Sequence, residues 1–139
     1  MARPSFLSDM LRGPEQPYAL HNVRTGAVIA SRVELAVDSA SRRRGLLGRD
    51  TFEPGSGLII APCSAIHTFS MRFAIDVVFV ARDGRVKKTY AAVPAARMAF
   101  SAGAFAVIEL PAGTLARRPA APGDVVELVP ADAPLPSQS

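Results

Sequence analysis

The segment from Ala74 to Ala92 constrains the fold of this chain more than any other part of the sequence. It begins with a run rich in Val, Ile and Phe, which is typical of a buried β-strand. Asp83-Gly84 follows, and an Asp-Gly pair between two such runs indicates a β-hairpin. The returning strand, Val86 to Ala92, contains two lysines, so we expect it at a sheet edge or an exposed face.

Pro and Gly residues divide the rest of the chain into further short apolar runs. Besides the two hairpin strands, we predict strands over residues 18–23, 27–30, 33–37, 58–61, 105–110 and 125–129. Asp38 and Ser39 predict a helix start, and this helix is expected to run to Leu47 and end at Gly48. About eight short strands with one or two short helices indicate a mainly β fold, either a small closed or partly open β-barrel or a sandwich.

The length and cysteine content predict the domain organisation and the compartment. A chain of 139 residues suffices for one domain with its own apolar core. We expect a flexible N-terminal arm over residues 1–16, a single β-rich domain over 17–130 and a disordered tail over 131–139. No run resembles a signal peptide or approaches the roughly 18 apolar residues that span a bilayer. Cys63 is the only cysteine, which fits a reducing, cytoplasmic location.

The charge and motif content narrow the range of partners. The net charge of +4 is compatible with anionic ligands or nucleic acid and requires neither. The chain has no Trp and few aromatic residues, so binding of nucleic acid has little support. There is no Gly-rich phosphate loop, and His21 and His67 share no ligand-spacing motif, so we predict no cofactor and no metal.

Polar and charged residues lie where the chain enters the hairpin. His67, Thr68, Arg72 and Asp76 are close together in the sequence, and burying such groups is costly unless they are paired or used. His67 changes charge near neutral pH, so it is a candidate general base or ligand contact. The alternative for His67 is a structural hydrogen bond to a backbone carbonyl where a loop meets the core.

Asp76 is the second candidate catalytic residue, because it could orient His67. Strand alternation places it on the same face as Val78 and Val80, where a lone carboxylate would be expensive. Three arginines are candidate partners for it: Arg44, Arg49 and Arg72. The alternative is structural, with an arginine–carboxylate pair that joins the short helix to the strand.

These residues define three hypotheses for function. The first is a cleft that binds a small anionic ligand or a protein partner, because arginine suits a bidentate grip on carboxylate or phosphate. The second is a hydrolase or isomerase with His67 as general base and Asp76 as its orienting group. The third is a nucleic-acid accessory protein. The predicted ligand-binding residues are Arg44, Arg49, His67, Thr68, Arg72 and Asp76.

Two further residues, Cys63 and Glu109, each have a functional and a structural interpretation. Cys63 would need a nearby base to act as a nucleophile, whereas most lone cysteines are small buried apolar residues. Glu109 is either a second carboxylate of the site or an exposed residue. Paired-carboxylate hydrolysis would require it to face Asp76 at about 5 to 10 Å. Arg42 and Arg43 are interpreted as solvated charges on the helix face.

Three blocks of sequence together resemble one protein family. They are RGLLGR at Arg44 to Arg49, GLII at Gly57 to Ile60 with IHTFSMRFAIDVVF at Ile66 to Phe79, and VIELPAGT at Val107 to Thr114 with Gly123-Asp124 after it. This chain resembles the conserved family known as domain of unknown function 192 from about residue 33 to 129. The resemblance implies a compact, mainly β domain and brings no catalytic assignment.

Two positions depart from the family pattern. Ala74 stands where the family usually has proline before Ile-Asp, so the rigidity that a proline would give is absent. Leu47 replaces the methionine of the first block, which is a near-neutral exchange for a buried side chain.

Overall fold

The computed structural model describes residues 5–8, 11 and 17–131. Within these residues the chain forms ten strands and two short helices, so the predicted mainly β fold is confirmed. The strands are β1 (Tyr18–Asn22), β2 (Val28–Ala30), β3 (Arg32–Ala36), β4 (Ser56–Ile60), β5 (Ala65–His67), β6 (Ile75–Val80), β7 (Val86–Val93), β8 (Met98–Phe100), β9 (Ala106–Pro111) and β10 (Val126–Pro130). The helices are α1 (Ser39–Arg44) and α2 (Thr114–Arg117).

The strands form three open sheets. The largest has five strands in the order β3-β4-β9-β6-β7, the second has the order β10-β1-β2, and β5 pairs with β8 in the third. Strands β3 and β4 are parallel, and the other pairs are antiparallel. The closed-barrel alternative therefore does not hold for the described residues, whose three open sheets pack against one another instead.

Apolar side chains cover both faces of the five-stranded sheet. On one face, Val78 and Ile108 belong to a buried cluster that includes Leu20 of the three-stranded sheet. On the other face, Val77 belongs to a second cluster that includes Ile66 of β5. Strands β6 and β9 are buried along their whole length. This explains why apolar residues occupy successive positions in both strands and do not alternate regularly with polar ones.

The predicted hairpin joins β6 to β7, and β7 is an edge strand as expected. Gly84 in its turn has a φ of 89°, a conformation that favours glycine. A Cβ atom at this position would lie 2.3 Å from the carbonyl oxygen of Val126 in β10. The turn residue is thus fixed both by its backbone conformation and by the close approach of the three-stranded sheet.

Strands β5 and β8 were not predicted from the sequence. Each has three residues, and they pair with each other through Ile66 and Ala99. Runs this short lie below the length at which alternation of apolar and polar residues can be recognised. The missed pair matters because it covers the second apolar cluster and contains His67.

Helix α1 begins as predicted and ends earlier. The Asp38 carboxylate accepts a hydrogen bond from the Ser41 N–H at 2.8 Å, which confirms the predicted cap. The predicted end at Gly48 is wrong, because Gly45 already has a φ of 47° and its N–H bonds to the Ser41 carbonyl at 2.9 Å. The chain turns inward at this glycine, and Leu46 enters the second apolar cluster.

Two residues of the predicted N-terminal arm lie against the body of the fold. The Phe6 N–H donates to the Arg82 carbonyl at 2.9 Å, and Leu7 is part of the first apolar cluster. Residues 1–4, 9–10, 12–16 and 132–139 lie outside the described part of the chain. The division into arm, domain and tail stays a prediction.

The Asp76 carboxylate links β6 to two other elements. It is 1% exposed, and it lies on the face of Val78 and Val80, as predicted. Its two oxygens accept hydrogen bonds from the backbone N–H groups of Ala92 in β7 and Leu115 in α2, both at 2.8 Å. Backbone amides therefore take the place of the arginine partner expected from the sequence.

We expect the Asp76→Ala substitution to lower the free energy of unfolding by about 3 kcal/mol, because two N–H groups lose a charged acceptor. Urea unfolding followed by circular dichroism measures this loss. Asp50→Ala is the matched control, since Asp50 pairs with Arg72 on the surface and its loss should cost less than about 1 kcal/mol. Equal losses in the two variants would contradict a structural role for Asp76.

Candidate functional site

A cleft of about 360 Å³ lies between α1 and the segment that leads into β5. The part of the cleft next to the core is lined by apolar side chains, among them Ile60 and Met71. Its polar lining comes from three parts of the chain that are far apart in sequence: Arg42, Arg43 and Arg44 of α1, Cys63 and His67 around β5, and Glu109 of β9.

Helix α1 places three consecutive arginines at the cleft. Successive residues of an α-helix point about 100° apart, so the three side chains diverge. Arg43 and Arg44 are exposed, whereas Arg42 is half-buried. The Nη1 group of Arg42 donates to the Pro62 carbonyl at 3.3 Å, and its buried Nε has no hydrogen-bond partner among the described residues. The interpretation of Arg42 as a solvated charge is therefore wrong.

Glu109 lies at the floor of the cleft. It is only 3% exposed, and it lies opposite Val77 in the register of β9 and β6, on the face of the second apolar cluster. Its Oε1 atom lies 3.9 Å from the place that a Cβ at Gly45 would occupy. No hydrogen bond joins its carboxyl group to another described residue. The interpretation of Glu109 as an exposed residue is thus wrong.

Burial raises the pKa of Glu109 from 4.5 to about 7, and the charge of Arg49 works against this rise. Near neutral pH the carboxyl group is therefore divided between its protonated and ionised forms. A carboxyl group in this state at the floor of a cleft can accept a hydrogen bond, donate one or exchange a proton with a bound molecule.

Cys63 lies at the cleft without the features of a nucleophile. Its thiol donates to the Ala65 carbonyl at 3.1 Å. Burial raises the pKa of the thiol, the negative charge of Glu109 raises it further, and the charge of Arg42 opposes both. The thiol therefore stays protonated at neutral pH, whereas a cysteine nucleophile needs a lowered pKa.

His67 is exposed at the mouth of the cleft, where its ring stacks on Phe69 at 5.2 Å between centroids. It does not form the predicted dyad with Asp76. Asp76 faces the first apolar cluster, whereas His67 belongs to β5, which covers the opposite face of the large sheet. The sheet itself separates the two side chains.

The hydroxyl group of Thr68 is used in hydrogen bonds within the fold. The residue is buried, its hydroxyl donates to the Pro94 carbonyl at 2.7 Å, and the same oxygen accepts from the Arg97 N–H at 2.9 Å. These bonds tie the end of β5 to the loop before β8, so the hydroxyl group supports the strand pair that forms one side of the cleft.

Two of the predicted arginines have protein partners outside this cleft. Arg49 pairs with Glu34 at 2.8 Å, and Arg72 pairs with Asp50. Of the predicted ligand-binding residues, the structure brings Arg44 and His67 to the cleft, whereas Arg49, Thr68, Arg72 and Asp76 do not line it.

The sequence reasoning leaves Glu109 open as a second carboxylate of the site and does not include Arg42 among the site residues. For Glu109 a signal was available, because it interrupts an apolar run that we had predicted to be a buried strand, as Asp76 does. Asp76 and Glu109 cannot act as a pair, because Asp76 faces the first apolar cluster and Glu109 the second. For Arg42 no signal was available, since three consecutive arginines on a six-residue helix do not show which one is buried.

The comparisons with known proteins identify the family. The sequence model of the family described as "Uncharacterized ACR", domain of unknown function 192, matches residues 21–128. The chain therefore belongs to this family, and the resemblance found in its sequence is confirmed. No curated protein matches the chain.

Two solved structures have a similar fold. A protein of unknown function from Novosphingobium aromaticivorans is 29% identical with a TM-score of 0.69, over 80% of this chain and 83% of that chain. A protein from Sinorhizobium meliloti, described as a "putative transcription regulator", is 28% identical with a TM-score of 0.70, over 81% of this chain and 92% of that chain.

Two features are absent from the described residues. None of their helices is both long and apolar enough to cross a membrane. Over the same ranges, no three or more His, Cys, Asp or Glu side chains are placed together as metal ligands would be.

The raised pKa of Glu109 predicts a pH-dependent cost in stability. The Glu109 carboxyl group ionises at lower pH in the unfolded chain than in the folded protein. The free energy of unfolding therefore falls as pH rises from 4.5 through about 7. Glu109→Gln cannot ionise, and we expect it to gain up to about 3 kcal/mol in unfolding free energy relative to the wild type across this interval.

Urea unfolding at a series of pH values from about 4 to about 8 measures the difference between the two proteins. Glu53→Gln is the matched control, because Glu53 is exposed and its substitution should give no pH-dependent difference. A difference between wild type and Glu109→Gln that stays constant with pH would contradict the prediction.

Proposed function

We propose that this protein binds a small anionic ligand in the cleft between α1 and β5. The observation that carries the proposal is the buried Nε of Arg42, which has no hydrogen-bond partner among the described residues. Buried polar groups in proteins are nearly always hydrogen-bonded, so an unpaired guanidinium nitrogen at a cleft indicates a missing acceptor. Carboxylate and phosphate oxygens are the acceptors that arginine binds best.

The charges around the cleft favour an anion. Arg43 and Arg44 add positive charge beside Arg42, and His67 lies at the mouth. The only carboxyl group among the cleft-lining residues is Glu109, whose negative charge is reduced because its pKa is raised to about 7. A concave site with one sign of charge raises the local concentration of the opposite ion.

The size of the cleft fits a small molecule. Its volume of about 360 Å³ lies near the lower end of the roughly 300 to 1,000 Å³ that ligand pockets occupy. Its lining combines apolar side chains from the core with a few polar groups, which is the usual composition of a ligand site.

A protein partner is the second candidate function. Strand β8 presents Met98 and Phe100 outward, with 72% and 61% of their surfaces exposed. Large apolar side chains exposed side by side are typical of interaction surfaces. This surface lies next to the cleft, because Met98 is directly opposite His67 in the β5–β8 pair.

The hydrolase or isomerase hypothesis loses its supporting geometry, because Asp76 cannot orient His67 across the large sheet. The nucleic-acid hypothesis gains no support, because the chain has no tryptophan and few other aromatic residues on which bases could stack. The lone cysteine still supports a cytoplasmic location, which stays a prediction.

We expect Arg42→Gln to weaken binding of inorganic phosphate by about ten-fold, because a charged donor at the cleft is lost. Titration of the labelled protein, followed by backbone amide chemical shifts, gives the affinity and the residues affected. In the wild type, the shifts should be concentrated in residues 42–47 and 63–67.

Arg118→Gln is the matched control, since Arg118 is exposed and does not line the cleft. Its affinity for phosphate should equal that of the wild type. Shifts spread evenly over the surface arginines, or equal losses in the two variants, would contradict a specific anion site at Arg42.

A further inference from the structure

We infer that the ligand of this cleft is a small zwitterion, and that its amino group binds to Glu109 while its anionic group binds to Arg42. This inference rests on the proposed function, because it assigns the ligand's second functional group. The class comprises small amino acids and related molecules with a carboxylate or phosphate at one end and an ammonium group at the other.

The first observation is the environment of Glu109. The carboxyl group is 3% exposed, and no described residue donates a hydrogen bond to it. The buried side chains that line the cleft with it are apolar: Leu46, Ile60, Ile66 and Met71. None of these side chains can donate a hydrogen bond, so a ligand that enters the cleft can supply a donor that they do not.

The second observation is that Arg42 and Glu109 do not satisfy each other. They carry opposite charges and line one cleft, yet they form no salt bridge, and Arg42 is not among the causes that shift the pKa of Glu109. The pKa of Cys63, in contrast, is affected by both charges, and Cys63 lines the same cleft as the two groups. A half-buried guanidinium with an unpaired Nε and a buried carboxyl group without a hydrogen-bond partner among the described residues lie at separate positions of one cleft. They match a molecule that carries both complementary charges.

A simple anion would satisfy only one end of this cleft. Bound at Arg42, it would leave the Glu109 carboxyl group without a partner and would place a second negative charge in the same cavity. An ammonium group supplies up to three N–H donors and neutralises the ionised carboxylate, so it removes the cost of burial at the floor. Binding then favours the ionised form of Glu109.

Several other charged or titratable groups lie around the cleft, and a pH-dependent test of Glu109 has to be separated from their contributions. Arg49 is the only charge that shifts the pKa of Glu109. The imidazole of His67 lies at the mouth of the same cleft, so a variant that removes only the ionisation of Glu109 is needed. The charged or titratable residues that line the cleft with Glu109 are Arg42, Arg43, Arg44, Cys63 and His67.

Matched pairs of probes test the inference: β-alanine against propionate, and γ-aminobutyrate against butyrate. The two members of each pair differ by one ammonium group, and their charges stay constant between about pH 6 and about pH 8. Affinities come from amide chemical-shift titrations of the full chain. We expect the amino acid of at least one pair to bind about ten-fold more tightly at pH 8, through a charge-assisted hydrogen bond to ionised Glu109.

The pH dependence and two variants complete the test. The advantage of the amino acid should shrink at the lower pH, where Glu109 holds its proton, and it should vanish at both values in Glu109→Gln. Arg42→Gln should weaken both members of a pair equally, because each uses its carboxylate there.

The outcomes separate this inference from the proposed function. If propionate, butyrate and phosphate bind at Arg42 and the ammonium group gives no advantage, the anion site stands and the zwitterion inference is overturned. An advantage that persists in Glu109→Gln also overturns it. If no probe shifts the cleft amides of the wild type, the proposed function fails and the inference fails with it.

Discussion

The structure depends on a central sheet whose inner strands are covered on both faces. Because β6 and β9 are buried along their whole length, any charged side chain on them needs a partner or carries a large cost. Two carboxylates meet this constraint in opposite ways. Asp76 receives N–H groups from Ala92 and Leu115 and joins three elements, whereas Glu109, on the neighbouring strand and the opposite face, receives none. The first is explained by the fold alone. The second has no hydrogen-bond partner among the described residues, and its burial raises its pKa instead.

The cleft follows from how the second face is covered. Sheet β10-β1-β2 packs on one side of the central sheet, while the other side is covered by the small β5–β8 pair and by Leu46 beyond the end of α1. These two short elements leave a gap between them, with Glu109 beneath it and Arg42 at its side. A short helix and a short strand pair therefore create a polar cavity in an otherwise apolar layer, as expected for a binding site placed by a rigid scaffold.

Much of this fold could be predicted from local sequence patterns, whereas only Arg44 and His67 of the predicted ligand-binding residues line the cleft. The Asp83-Gly84 turn, the Asp38 cap and the longer strands all have signals within a few residues. The β5–β8 pair has none, because three residues show no periodicity and the pairing partners are distant. The burial of Asp76 is predicted correctly from the sequence. Its partners are backbone amides, and the identities of the side chains do not show which amides these are. Glu109 showed the same signal, and only the register of β9 decides which face it occupies and hence whether it meets a donor or a cavity.

The unpartnered carboxyl group of Glu109 also has a consequence for protein engineering. Sequence optimisation for thermal stability favours apolar residues at buried positions, so leucine at Glu109 would be among its first choices. Natural proteins retain such unfavourable residues where activity needs them, and stabilising them often costs function. A leucine variant of this chain would then gain stability and lose the only carboxyl group among the residues that line the cleft.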